Sequence, residues 1–484
     1  MAQSKLQDNA DIARPLFWFV ILITLVVVIL LGAADIPLND QIVSCLTAIC
    51  FCAIVIMAII RTRVDRSALV LLGMASGFLS LGYLLKFGLI LHFPDLVWGA
   101  GRVVAIDLVT KRVLPLMYEL APALCLFIAG LCLGPKLPNF PAPEKRTPSS
   151  VKPLFAVVLG CTLLFTKIVC LVLFDIGSPI ATGRGLPPLL IAALEFISQD
   201  AIIVVLNLFL FVAIYTESRK FTVQVSILIA ANIVVSLLAG WKGEMVFQVL
   251  VVAYIYLQFK SKLASKQRRR VFGWVIISVV LLVLIYPLVN SYRHELKRDI
   301  SIVDAISEQQ ELFYGEQSEE EASVVSIFRR VSGLSTYYSA MEIGRTNSLS
   351  ISAIWDAQVG AILKYEMYGA EADNVMVGFG ASQFAALNLI GGKLVLYCGA
   401  LLFGIGIRLV SWVIGNVILR YNLTFLAYAP LLYLSWIQMM LAGGNLNLKL
   451  KELAVVVGLL FLTERLIFRP QRATSAIATA QPSY

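Results

Sequence analysis

The chain has 484 residues, of which 59% are apolar and 14% charged, and its formal net charge is +9. A soluble domain carries about 25% charged residues and about 45–50% apolar ones. The composition therefore excludes a soluble globular enzyme, a disordered chain and, despite the basic balance, a nucleic-acid binder. It leaves an all-α polytopic membrane protein whose apolar exterior faces lipid.

A helix needs roughly 20 apolar residues to cross a hydrocarbon core of about 30 Å. Runs of that kind predict twelve spans, at 16–34, 41–60, 67–85, 114–134, 153–174, 188–214, 222–240, 244–259, 271–290, 392–415, 422–442 and 452–468. The run 188–214 is long enough to tilt, and 244–259 is short. All are continuously apolar, whereas a barrel strand would alternate over about 10 residues. The first run is too long for a cleavable signal and is followed by no small-residue cleavage motif. The division expected is 1–290 for spans one to nine, 291–391 for a long outer segment, 392–470 for the last three spans and 471–484 for a tail.

Lysine and arginine set the orientation. With the N-terminus inside, the inner segments collect Arg61, Arg63, Arg66, Lys136, Lys152 and the run from Lys260 to Arg270, while the outer segments are net acidic. An even number of spans places both termini in the cytoplasm. The basic balance is thus a topology signal. The eight cysteines, Cys45, Cys50, Cys52, Cys125, Cys132, Cys161, Cys170 and Cys398, lie in apolar runs without zinc-type spacing, and read as small hydrophobes. No metal or other cofactor is expected.

In chain order, the outer segments carry the informative residues. Residues 86–113 are too apolar for a free loop and too broken for a span; an interfacial or re-entrant piece is expected, with His92 and Trp98 at headgroup depth. The segment 176–187 carries Arg184, and a tight turn follows at Gly240-Trp241-Lys242-Gly243-Glu244. The longest, 291–391, opens with Tyr292-Arg293-His294. Ser318-Glu319-Glu320-Glu321 in it reads as a capping box. Val324, Phe328, Val331, Tyr338 and Met341 then share a helical face, which Gly344 would end. A second helix is expected from about Asn347, with Ile351, Ile354, Trp355 and Ile362 on one side. Both helices would lie on the membrane surface or cap a cavity.

Charges inside spans are costly unless paired or wetted. Glu119, Lys167, Glu195, Asp200 and Arg408 are of this kind, and Lys167 is expected to pair with Glu195 or Asp200. Arg184, Lys242, Arg293, Lys297, Arg298, Arg329, Arg330, Arg345 and Lys393 stand in outer segments or near predicted outer span ends, and guanidinium groups facing a cavity there would hold phosphate bidentately. No nucleotide-binding, serine-hydrolase or zinc-protease motif is present.

Three features resemble the Wzy-type polysaccharide polymerases and, more loosely, the O-antigen ligases. They are the small-residue outer turn Ser236 to Gly243 with its lysine, the Tyr292-Arg293 that opens the longest outer segment with Ile327-Phe328-Arg329-Arg330-Val331 further on, and the glycine-rich re-entry from Val377-Gly378-Phe379-Gly380 to Gly391-Gly392. The likeness covers about residues 222–470. The R-x10-G pattern of some members has no counterpart: Ala340 and Met341 stand eleven residues after Arg329 and Arg330. The earlier large outer loop is also short.

The resemblance implies a GT-C-like, metal-independent glycosyltransferase of the bacterial inner membrane. It would join undecaprenyl-pyrophosphate-linked repeat units into a cell-surface polysaccharide at the periplasmic face, with a flippase and a chain-length regulator as partners. Arg184, Lys242, Arg293, Arg329 and Arg330 would hold the pyrophosphate. His294, Glu195 and Glu244 are the candidate bases, His294 foremost. A ligase on the same carrier and a transporter of lipid-linked sugars are the alternatives.

Overall fold

The computed structural model describes residues 2–62, 65–93, 106–138, 151–174, 176, 186–239, 250–251, 253–254, 273, 276, 333–344, 350–356, 362, 382–442 and 446–468. These residues are helical throughout, apart from turns and one isolated bridge between Val151 and Phe468. Helices suit such runs because each satisfies its own backbone hydrogen bonds in a medium without water. Among the described residues nine helical segments are long and apolar enough to cross a membrane. The chain is a multi-pass membrane protein.

The helices are α1 (Ala2–Gly32), α2 (Leu38–Thr62), α3 (Arg66–Leu79), α4 (Lys86–His92), α5 (Ile106–Cys132), α6 (Pro153–Phe174), α7 (Pro188–Phe196), α8 (Ile202–Tyr215) and α9 (Arg219–Leu238). They continue with α10 (Leu334–Gly344), α11 (Ser352–Asp356), α12 (Gln383–Val413), α13 (Asn422–Ala442) and α14 (Leu446–Ile467). Wider π-helical turns join α3 to α4 (Ser80–Leu85) and α7 to α8 (Ile197–Ala201), and extend α12 (Ile414–Ile418).

The nine segments coincide with nine of the twelve predicted spans. The runs 244–259 and 271–290 lie largely outside the described residues. The run 452–468 is helical in α14, but that helix carries Lys449, Lys451, Glu452, Glu464 and Arg465 and is not among the nine. One boundary differs from expectation. Residues 86–92 are no separate interfacial piece but the end of the third span, Arg66–His92. The π-turn carries the helix onward, burying Lys86 and Phe87, and His92 donates from Nε2 to the Leu30 carbonyl of α1 at 2.7 Å. Trp98 lies outside the described residues.

The chain forms two compact units. The first comprises residues 1–137, 312–413 and 431–453, the second 138–311, 414–430 and 454–484. In the first, α5 and α12 cross at Gly130 and Gly404. A Cβ on Gly130 would overlap the Leu401 carbonyl, and one on Gly404 the Phe127 carbonyl. Small residues let two membrane helices meet backbone to backbone. At one end of this unit Asp65 caps α3, its Oδ1 accepting the Ala68 N–H at 3.0 Å. Its Oδ2 accepts Leu137 N–H at 2.9 Å and Arg408 Nη2 at 3.0 Å. Arg408 also donates to the Leu131 and Pro135 carbonyls, orphaned by the end of α5. Because Asp65 precedes α3, Leu131 closes α5 and Arg408 nears the end of α12, these three ends share one side, as alternating spans require.

In the second unit α8 is buried from Ile202 to Ala213. Gly160 of α6 packs against Leu228 of α9 and Leu206 and Phe209 of α8. Glu464 of α14 takes the Arg420 and Tyr421 N–H groups, both at 3.0 Å, at the start of α13. A carboxylate there satisfies orphan donors and favours the positive end of the helix dipole.

Candidate functional site

The first unit gathers polar side chains at the end opposite Asp65. Four pieces of chain meet there. The first is the π-turn, where Tyr83 is fully buried. The second is α10, part of the segment between the ninth and tenth predicted spans. Leu334, Tyr337, Tyr338 and Ala340 of α10 are 0% exposed, so this helix lies inside the unit rather than on a membrane surface. Its described residues run to Gly344, and the predicted stop there borders residues 345–349, which lie outside the described residues. Gly333 at its start has φ +151°, and a Cβ there would overlap the Gly82 carbonyl; a side chain would push α10 off the π-turn.

The third piece is the first part of α12. Residues Gln383–Asn388 are buried, and the helix breaks at Gly391 and Gly392, the latter at φ 65°, a value that favours glycine. A short buried half-helix therefore precedes the main span. The break falls at the last two residues of the glycine-rich stretch, of which Val377 to Gly380 lie outside the described residues. The fourth piece is the end of α13. Ser382 donates to the Met440 carbonyl at 2.9 Å and accepts from the Tyr83 hydroxyl at 3.0 Å. Thr336 donates to the Leu441 carbonyl at 3.2 Å. Two terminal carbonyls of α13 are thus capped by hydroxyls from distant chain segments.

Beside this lies a carboxylate. Asn388 donates from Nδ2 to the Tyr337 hydroxyl at 2.7 Å and to Glu119 Oε1 at 3.1 Å. The Tyr397 hydroxyl donates to the main-chain carbonyl of Glu119 at 3.2 Å. Burial pushes the Tyr337 phenol well above its usual range; the Asn388 N–H opposes this and the Glu119 charge adds to it. The phenol thus stays protonated. Glu119 is half-buried. Nearer the helix start, Arg112 of α5 pairs with Glu342 of α10 and ties α10 down a second time.

Of the residues expected to act, Arg184, Lys242, Glu244, Arg293, His294, Arg329 and Arg330 lie outside the described residues, as do Ser318 to Glu321. Glu195 is described. It is exposed at the end of α7, where Gln199 donates to its Oε1 at 3.5 Å. Lys167 is buried. Its ammonium donates to Asn232 Oδ1 at 2.9 Å and to the Ser236 hydroxyl, one turn apart on α9. Two neutral oxygens on a neighbouring helix thus help to hold the lysine. Of the second outer helix, α11 and Ile362 are described, and Ile351 and Trp355 are exposed there at 78% and 45%. Sequence reasoning treated Glu119 only as charge within a span; the one signal available was that a carboxylate does not sit in an apolar run without a reason.

The chain matches no family model, no curated protein and no solved structure.

Proposed function

We propose that this protein is a polysaccharide polymerase of the Wzy type, acting on undecaprenyl-pyrophosphate-linked repeat units at the periplasmic face of a bacterial inner membrane. The observation that carries the reading is the burial of α10 against the half-helix of α12. This helix, from the segment between the ninth and tenth predicted spans, lies next to hydroxyl, amide and carboxylate groups of the first unit, where a hydrophilic substrate on a lipid carrier can be met. The charge bias places this end outward, and the same segment holds Arg293, Arg329 and Arg330.

The chemistry fits those residue types. Cleavage of the sugar–pyrophosphate bond develops negative charge on a phosphate oxygen, and fixed cations in a water-poor site stabilise it. Arg184, Lys242, Arg293, Arg329 and Arg330 take that role, with His294, Glu195 and Glu244 as candidates for orienting the acceptor hydroxyl. No metal or nucleotide is needed for such a transfer.

The test is a deletion strain examined for its glycan. Single repeat units with no long chains are expected, and normal chain lengths would end the reading. Full-length polymer left on the lipid carrier would instead favour a ligase. Lipid-linked sugar moved across proteoliposomes, with no new glycosidic bond, would favour a transporter. Arg293→Ala and Arg330→Ala should each abolish most polymer at unchanged protein levels, and lysine should rescue in part, since an ammonium lacks the planar fork.

A further inference from the structure

Within that proposed reaction, and resting on it, we infer that Glu119 is the base that takes the proton of the attacking hydroxyl. Three observations carry this. The first concerns depth. Glu119 lies seven residues after Arg112 on α5, about 10 Å along a helix, within the candidate span Arg112–Cys132. An ionised group at such a depth is not left against acyl chains.

The second concerns direction. Pro115 and Pro122, one turn on either side of Glu119, are exposed, and Glu119 is half-buried between them. The carboxylate thus sits at the edge of the open face of α5, where it turns towards α12. Tyr118 turns to the other side, with its hydroxyl against Ser44 and the Asp40 carbonyl of α2. A face that carries a carboxylate at this depth meets water or polar groups.

The third concerns what is used and what is left. Asn388 holds Oε1, and Asn388 is itself held by Tyr337 from α10. Among the described residues Oε2 receives no hydrogen bond. Asp65, buried at the opposite end of this unit, has both oxygens occupied. A base must keep an oxygen for the proton it removes, with its position fixed by its partners. Asn388 supplies the fixing and Oε2 the acceptor.

The step balances. The acceptor hydroxyl gives its proton to Glu119 Oε2 as its oxygen forms a bond to the anomeric carbon of the donor sugar. The bond from that carbon to the pyrophosphate oxygen breaks, and the electron pair leaves with the lipid diphosphate. The groups facing the carboxylate are the Tyr337 and Tyr397 phenols and the neutral Asn388 amide.

The experiment uses the full chain in lipid nanodiscs with a lipid-linked repeat unit. Glu119→Gln keeps an oxygen for Asn388 and cannot take a proton. Polymer formation should fall by about 10²–10⁴-fold, with thermal unfolding unchanged. Glu119→Asp should recover part of the rate, because it restores a carboxylate, which a structural role for the amide shape would not do. Asn388→Ser should lower kcat while leaving KM near the parent value. Wild-type protein that makes no polymer defeats the polymerase reading itself. Active wild type together with Glu119→Gln within twofold of it defeats the assignment of Glu119 alone. Were Glu119→Gln to misfold, a folded Glu119→Ala within twofold of the parent would overturn it as well.

Discussion

The two ends of the first unit hold their carboxylates differently. Asp65 is buried with Arg408, and both oxygens and all three nitrogens of the pair are occupied by partners from α3, α5 and the segment after it. Glu119, at the other end, is half-buried and engaged through Oε1 to Asn388. A saturated buried pair has no valence left for a substrate, so it stabilises one arrangement of helix ends and resists change. A carboxylate held by one oxygen retains a position for a further hydrogen bond. The difference separates a clamp from a site.

The comparison can be broken most directly at the clamp. Arg408→Ala leaves the Asp65 carboxylate buried and unpaired, a loss of about 3–5 kcal/mol; thermal unfolding in detergent should show most of the protein unfolded or degraded. Glu119→Gln should lie far below that figure. Equal destabilisation by the two variants would remove the distinction between the ends.

The α5–α12 crossing gives the next effect. Gly404→Ala places a methyl group on the Phe127 carbonyl and should cost about 1–3 kcal/mol by overpacking, read from the same unfolding curve. Asn388→Ala removes the amide from both Tyr337 and Glu119. Interhelical hydrogen bonds in membranes contribute about 0.6 kcal/mol on average, so a shift of roughly 1 kcal/mol is expected. A loss as large as that of Arg408→Ala would mean that the layer around Asn388 is a second clamp. The smallest effect is at Gly406, where a Cβ would meet nothing within 4 Å. Gly406→Ala should be neutral or stabilise the helix by about 0.5–1 kcal/mol. The contrast between Gly404 and Gly406, two residues apart, tests whether the crossing is as close as the main-chain contacts require.

Much of the fold is legible in the order of residues, and particular elements show why. The run Pro153–Phe174 is helical over the very residues its hydropathy marks, because apolar length against membrane thickness is a local property. The break at Gly391-Gly392 is local too, since backbone freedom belongs to the residue itself. Lys167 shows the limit. Its cost in a span was readable, but its partners Asn232 and Ser236 were not: they lie on another helix, and nothing in the neighbouring sequence selects them.

The candidate site was less legible than the fold for the same reason. Glu119, Tyr337 and Asn388 stand in three separate stretches, and each taken alone is an ordinary residue of an apolar or mixed segment. Composition, span length and lysine–arginine bias, all additive over short windows, determined that this is a multi-pass helical protein and what its expected orientation is. Which buried charge met which partner, and which carboxylate kept an oxygen unengaged, was decided only when helices far apart in the chain packed together, because hydrogen bonds depend on distances of a few ångströms that sequence separation does not encode.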